Sequence, residues 1–353
     1  MKRAGLQARQ LFVSRLDDFP TCCGFSSDGH WLAIGTGSGK LHLIDCSSGT
    51  LSASWQAHTT PIQDLAWHPQ EALLASGDQR AQCKLWHADM TTDDGTPLLQ
   101  HTLPAAADWV QQVAWRPGGD FLAIAAGKQV DVFDRYGKAI NRIPFESGSV
   151  TGICWHPRGT ELALAGYQGI KLVTGAIYKT PRANWLRWQG SLLNCSFSPD
   201  GKVIAAACQD NAVHFWRVKN GKDAAMSGYA AKPRALTWSP DSKWLLTGGA
   251  SEVVGWHFSG GGPEGSPPLL MDHHRDTITH LALNPRTRWL ASGCKQHEVA
   301  LWHAVTDPSP AYVFSMEAPL AGLRWCNTAA GRSLLAAVDE SGHAGLWAIE
   351  EVQ

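Results

Sequence analysis

The sequence predicts an all-β propeller, a single domain of eight four-stranded blades over residues 1–353, and three observations point to it. One phrase recurs eight times: an apolar run ending in a large, mostly aromatic residue, then a Pro/Gly/Asp turn, then a strand of small residues. Its anchors Phe25, Trp67, Trp115, Trp155, Phe197, Trp238, Leu283 and Trp325 stand 40 to 48 residues apart. The 35 Gly and 19 Pro are spread along the chain, which suits many short strands joined by tight turns. A period near 40–45 residues with four strand signals per unit marks a propeller blade.

The units follow in order. The phrase reads CCGFSSDGHWLAIG from Cys22, DLAWHPQEALLASG from Asp64, QVAWRPGGDFLAIAAG from Gln112 and GICWHPRGTELALAG from Gly152. It continues as NCSFSPDGKVIAAAC from Asn194, ALTWSPDSKWLLTGG from Ala235, HLALNPRTRWLASG from His280 and GLRWCNTAAGRSLLAAV from Gly322. Third strands that mostly close on Trp follow each phrase, from LHLID before Cys46 to GLWA at 345–348. Fourth strands are expected at 51–55, 98–103, 139–145, 184–188, 223–228, 268–272 and 311–316. After the eighth third strand only Glu350 to Gln353 remain, too short for a partner. An open sheet edge is a liability, so RQLFVSRL at 9–16 is expected to supply the missing strand. Seven blades remains the alternative, with TGAIYKTPRANWLRWQG of unit four as the ambiguous portion.

Unit five, SPDGKVIAAACQDNAVHFW, carries Asp210 in a tight turn six residues before Trp216. With it the chain resembles the WD-repeat family over nearly its whole length. The resemblance implies N- and C-terminal strands sharing one blade, and a buried His–Ser/Thr–Asp–Trp hydrogen-bond network. Arg80, Gln296 and Ser341 occupy the turn position in units two, seven and eight, and His follows Trp86, Trp256 and Trp302. The network is therefore expected mainly in unit five, through Asp210 and Trp216.

Composition narrows the function classes. A formal charge of −1 favours neither nucleic acid nor an anionic membrane as an obligate partner. The nine Cys contain no CxxC pair and read as free thiols in a reducing compartment. No apolar stretch reaches membrane-spanning length, and the N-terminus has no signal-peptide core. The expectation is a cytoplasmic protein, monomeric on its own. Lys2, Arg3, Arg9 and Arg15 without an intervening acid also resemble an organellar transit peptide.

No catalytic motif survives its context, so no enzyme activity and no cofactor are expected. GTGSGK at 35–40 has Leu41 where a phosphate-binding loop needs Ser or Thr. Gly260, Gly262 and Gly265 match GxGxxG in letters, but Pro263 interrupts them and no helix pattern follows. The 15 His and nine Cys make metal handling the alternative, with zinc or copper held by units six and seven. Its candidates are His273, His274, His280 and Cys294. The competing reading makes His273 or His274, like His58, a structural histidine, and the repeated Trp–His pairs a consequence of the repeat.

Surface loops remain. In a propeller the loops entering each inner strand and those between second and third strands open on one face. Candidate contacts with protein partners there are Trp109, Arg80, Lys128, His58, Tyr167, Lys232, Arg275 and His297. Aromatic and Arg side chains dominate binding surfaces, and Trp109 stands where other units have Pro61, Ser149, Ser191 and Thr277. The residues three before each anchor, including Cys22, Asp64, Gln112, Asn194 and His280, share no repeated chemistry and read as the lining of a solvated channel. The sequence thus predicts a non-catalytic interaction scaffold.

Overall fold

The structure is a computed structural model that describes residues 5–105, 107, 109–178, 180–260 and 262–352. Lys2 and Arg3 of the basic N-terminus lie outside the described residues. The regular elements of the described residues are strands, and in five of the seven sheets they pair outward in chain order. Unit one shows the plan: Pro20–Phe25 is innermost, followed by Trp31–Thr36, Lys40–Asp45 and Thr50–Gln56.

The turn after each anchor has a chemical cause. Ser198 Oγ donates to Asp200 (2.7 Å) and accepts the Val203 amide (3.0 Å), which closes the first hairpin of unit five. Gly201 sits at φ 74°, and a Cβ there would lie 2.1 Å from His156 Nε2 of unit four. Both the dihedral and the close approach require glycine. Ser26 with Asp28 and Ser239 with Asp241 repeat the device.

The core lies between the sheets. Small residues of the second strands, Ala33, Ala75, Ala123, Ala163, Ala205, Ala291 and Ala336, are buried and let neighbouring units approach closely. Leu, Ile and the indoles of Trp86, Trp216 and Trp302 fill the clusters, and burying one Leu or Ile fully is worth about 1.5–3 kcal/mol.

The aromatic anchor also clasps the preceding unit. The indole N–H groups of Trp67, Trp115, Trp155 and Trp238 donate to the carbonyls of Gly24, Ala66, Ala114 and Ser196 at 2.9–3.3 Å. Three members of the inner ring reach the other way, to the following unit. Asp64 accepts the Val113 amide (2.9 Å), Gln112 accepts that of Ile153 (2.7 Å), and Asn194 donates to Arg234 O (2.7 Å). At those three positions the mixed lining is a set of bridges between units.

Closure is as expected, with a longer strand. Gly5–Arg15 pairs antiparallel with His343–Val352, and the sheet continues through Ser333–Asp339 to Leu320–Asn327. The closing strand thus begins ahead of residue 9, and the third strand of unit eight reaches almost to the end of the chain. The count of separate sheets differs from expectation. Among the described residues there are seven sheets, six of four strands and one of six. The long one joins units four and five. Glu161–Thr174 pairs with Val150–Trp155 through its first half and with Arg182–Ser191 through its second. Arg182–Phe197 then runs on to pair with the second strand of unit five. Unit four turns between its second and third strands on Gln168 and Gly169, at φ 69° and 117°, too tightly to interrupt the strand. Thr174 Oγ1 still reaches Glu161 (3.2 Å), so the halves fold back as in other units.

Candidate interaction face

Buried networks in units two, six and seven shape the loop face, and none of these is in unit five. In unit two the Trp86 indole donates to Ser76 Oγ (2.9 Å), and Ser76 bonds His58 Nε2 (2.7 Å). His58 Nδ1 faces Asp78 at 3.2 Å. Asp78 also accepts the amides of Arg80 and Gln82 (both 2.9 Å) and the Thr60 hydroxyl (3.1 Å). One carboxylate thereby fixes the loop entering the unit and the turn between its second and third strands. Burial pulls the His58 pKa down to about 4 against the opposing pull of Asp78, so the imidazole is neutral at pH 7.

Unit seven repeats the arrangement with one exchange. Trp302 donates to Ser292 (2.7 Å), Ser292 bonds His274 Nε2 (2.7 Å), and His274 Nδ1 faces Glu298 at 2.9 Å. Cys294 stands where unit two has Asp78, and the carboxylate comes from four residues further on. In unit six a phenol replaces the imidazole: Tyr229 bonds Thr247 and accepts the Trp256 indole, each at 2.7 Å.

Unit five departs from expectation. Asp210 is exposed, and the register puts Ala206 and Cys208 where unit two has Ser76 and Asp78. Without a hydroxyl at 206 the chain of bonds cannot form, and Trp216 is buried as a packing residue. The overlooked members are Ser76, Asp78, Ser292, Glu298, Tyr229 and Thr247. A spacing betrays them: 18 residues separate His58 from Ser76, His274 from Ser292 and Tyr229 from Thr247.

The metal candidates divide. His274 and Cys294 come together with Glu298, which no reading of the sequence included, their ligand atoms within 4.8 Å. Both His274 nitrogens already face Ser292 and Glu298, so a cation would compete with the network. His273 is exposed and pairs with Glu298 at 3.2 Å. His280 lies apart on the inner strand, where burial and then Arg324 lower its pKa to about 4. The Trp–His pairs follow the repeat: His68 Nε2 bonds Gly119 O of the next unit (2.7 Å). Burial also raises the thiols of Cys22, Cys46, Cys83, Cys208 and Cys326, which suits small core residues rather than nucleophiles.

Of the surface candidates, His58 is buried and is withdrawn as a contact. Arg80, Lys128, Lys232 and Arg275 are exposed, and His297 is half-buried at φ 64°. Trp109 is 56% exposed and Tyr167 48%. Backbone bonds gather several of them. Ala105 N donates to Ala81 O (2.8 Å), holding the Trp109 loop to the Arg80 turn. Phe145 N and Val150 N donate to Lys128 O and Gly127 O (2.7 and 2.8 Å), tying in the Lys128 turn. One aromatic was missed. Phe19, 52% exposed, precedes the inner strand of unit one as Trp109 precedes that of unit three. Its ring covers Gly37, where a Cβ would collide with it. Exposed aromatics thus flank both sides of unit two.

A family model described as WD domain, G-beta repeat, matches residues 49–87, 186–217, 224–254 and 265–303. Two of these segments hold the networks of units two and seven, and a third holds Tyr229 and Thr247 of unit six. The chain is 28% identical over 228 residues to WD repeat-containing protein slp1 of Schizosaccharomyces pombe, spanning 60% of this chain and 43% of that protein. It is 22% identical over 286 residues to the transcriptional corepressor LEUNIG_HOMOLOG of Arabidopsis thaliana, spanning 80% and 35%. The chain therefore spans less than half the length of these curated relatives. A solved structure of the computationally designed protein Ika8 superposes with a TM-score of 0.79 at 15% identity, covering 96% of this chain and 99% of that one, a likeness of fold alone. With its matched repeats, its relatives and its buried His–Ser–Trp networks, the chain carries repeats of the WD type and is similar to the WD-repeat family.

Proposed function

We propose that this protein is a non-catalytic scaffold that binds protein partners through the loop face around unit two. The observation that carries this reading is the set of exposed side chains on the loops and turns of units one to three, the aromatics Phe19 and Trp109 and the cations Arg80 and Lys128, with the Arg80 turn held by Asp78 and backbone bonds tying in the other loops. Exposed aromatics with adjacent cations are the usual anchors of an interface, and a rigid base limits the entropy lost on binding. That relatives carry WD repeats supports an interaction role and leaves the partner open.

Charge reversal tests the face. Arg80→Glu with Lys128→Glu should abolish capture of partners from native lysate without lowering the melting temperature. Arg158→Glu with Lys202→Glu, in exposed turns on the opposite face, should leave capture unchanged. Loss of partners from the second pair alone would move the working surface to the other face.

A further inference from the structure

The seam between units four and five lacks the two bonds that fasten several other seams. Its inner-ring position is Gly152, with no side chain to bridge, and the unit-five anchor is Phe197, with no N–H to donate. What the seam has is a pair of thiols. Cys154 Sγ lies 3.2 Å from Cys195 Sγ, each half-buried on adjacent inner strands. Gly152 makes this approach possible, since a Cβ there would stand 2.9 Å from the Asn194 Cα. Thr151 Oγ1 donates to Leu192 O (2.8 Å) and fixes the relative height of the strands.

We propose that Cys154 and Cys195 form a reversible disulfide across this seam, a redox modification site whose oxidant is a low-molecular-weight disulfide. A Cys154 thiolate attacks one sulfur of that disulfide, and the other half leaves as a thiolate. Cys195 then gives up its proton to solvent, and its sulfur displaces the remaining half from Cys154. The two protein thiols lose two protons and two electrons, and the oxidant departs as two thiols. The separation suits this bond better than a shared metal. Two thiolates on one tetrahedral zinc, each at about 2.3 Å, would stand roughly 3.8 Å apart.

The test uses the full chain and oxidised glutathione, followed by denaturing alkylation and mass spectrometry. Of nine cysteines, two should escape alkylation. Trypsin should release the 143–158 peptide joined to the 188–202 peptide, and reduction should restore full alkylation. In Cys154→Ser the remaining eight should all alkylate. Continued alkylation of all nine in the wild-type protein would overturn the proposal, as would glutathione retained on one of the two sulfurs or a link between other cysteines. Zinc or copper that copurifies and is lost in Cys154→Ser would assign the pair to a metal and overturn it equally.

Discussion

Units two and five share the register of their first two strands, yet they are held by different forces. Unit two ties its third-strand Trp86, its entering loop and its turn into one network through Ser76, His58 and Asp78. Unit five closes on Trp216 with Ala206 and Cys208 in place of the hydroxyl and the carboxylate, and depends on packing. A propeller blade therefore needs only its apolar pattern to form. The polar network adds a fixed loop geometry at selected units, and in this chain it does so beside the exposed Trp109.

The largest expected effect separates the two units directly. Asp78→Ala should destabilise the protein by about 3 kcal/mol or more, because two backbone amides and the His58 imidazole lose a buried acceptor. Asp210→Ala, at an exposed position, should stay within about 0.5 kcal/mol of neutral. Chemical denaturation of both variants checks this, and equal losses would mean that unit five holds a network after all.

Acid should expose the same difference. The folded-state pKa of His58 is near 4, below its ordinary 6.5, because burial disfavours the charged form. The unfolded chain therefore binds this proton more tightly, and the stabilising contribution, complete above pH 6.5, is lost as pH falls toward 4. Between pH 7 and pH 5 the loss should reach about 2 kcal/mol from this group alone. His280 adds a slope of the same sign, whereas Asp64, whose burial raises its carboxyl to about 6, opposes it. His58→Gln should flatten the pH dependence of stability, and an unchanged slope would show that His58 titrates freely in the fold.

A smaller effect concerns the clasps. Trp115→Phe keeps an aromatic ring but removes the pyrrole part of the indole with the N–H donated to Ala66 O (3.1 Å), and should cost about 1 kcal/mol or somewhat more. Phe197 shows that a unit tolerates this loss. A neutral result would reduce the indole to packing alone.

The fold was legible because its signal repeats. Eight anchors, their turns and the orphaned strand 9–16 sufficed for the propeller and its closure. The merging of units four and five was not legible, since it depends on how tightly Gln168 and Gly169 turn the backbone. The networks were misplaced for a related reason. Asp210 stands in the best-matched phrase, but the carboxylates that hold the turns of units two and eight are Asp78 and Asp339, two residues ahead of the position compared. The histidine and the serine of a network lie on separate segments, where sequence neighbourhood gives no hint and only the 18-residue interval does. Trp109 was found because no packing role accounts for an indole there. Phe19 was missed because its equivalent position falls before the first complete unit.

The central claim, that the face around unit two is the working surface, is tested most directly by measuring partner capture with Trp109→Ala. The indole is largely exposed, so the variant should melt within about a degree or two of the parent, as surface changes usually do. Capture from native lysate should fall by an order of magnitude or more, since a central aromatic at an interface typically contributes about 2 kcal/mol or more. Full capture by a folded Trp109→Ala protein would contradict the account.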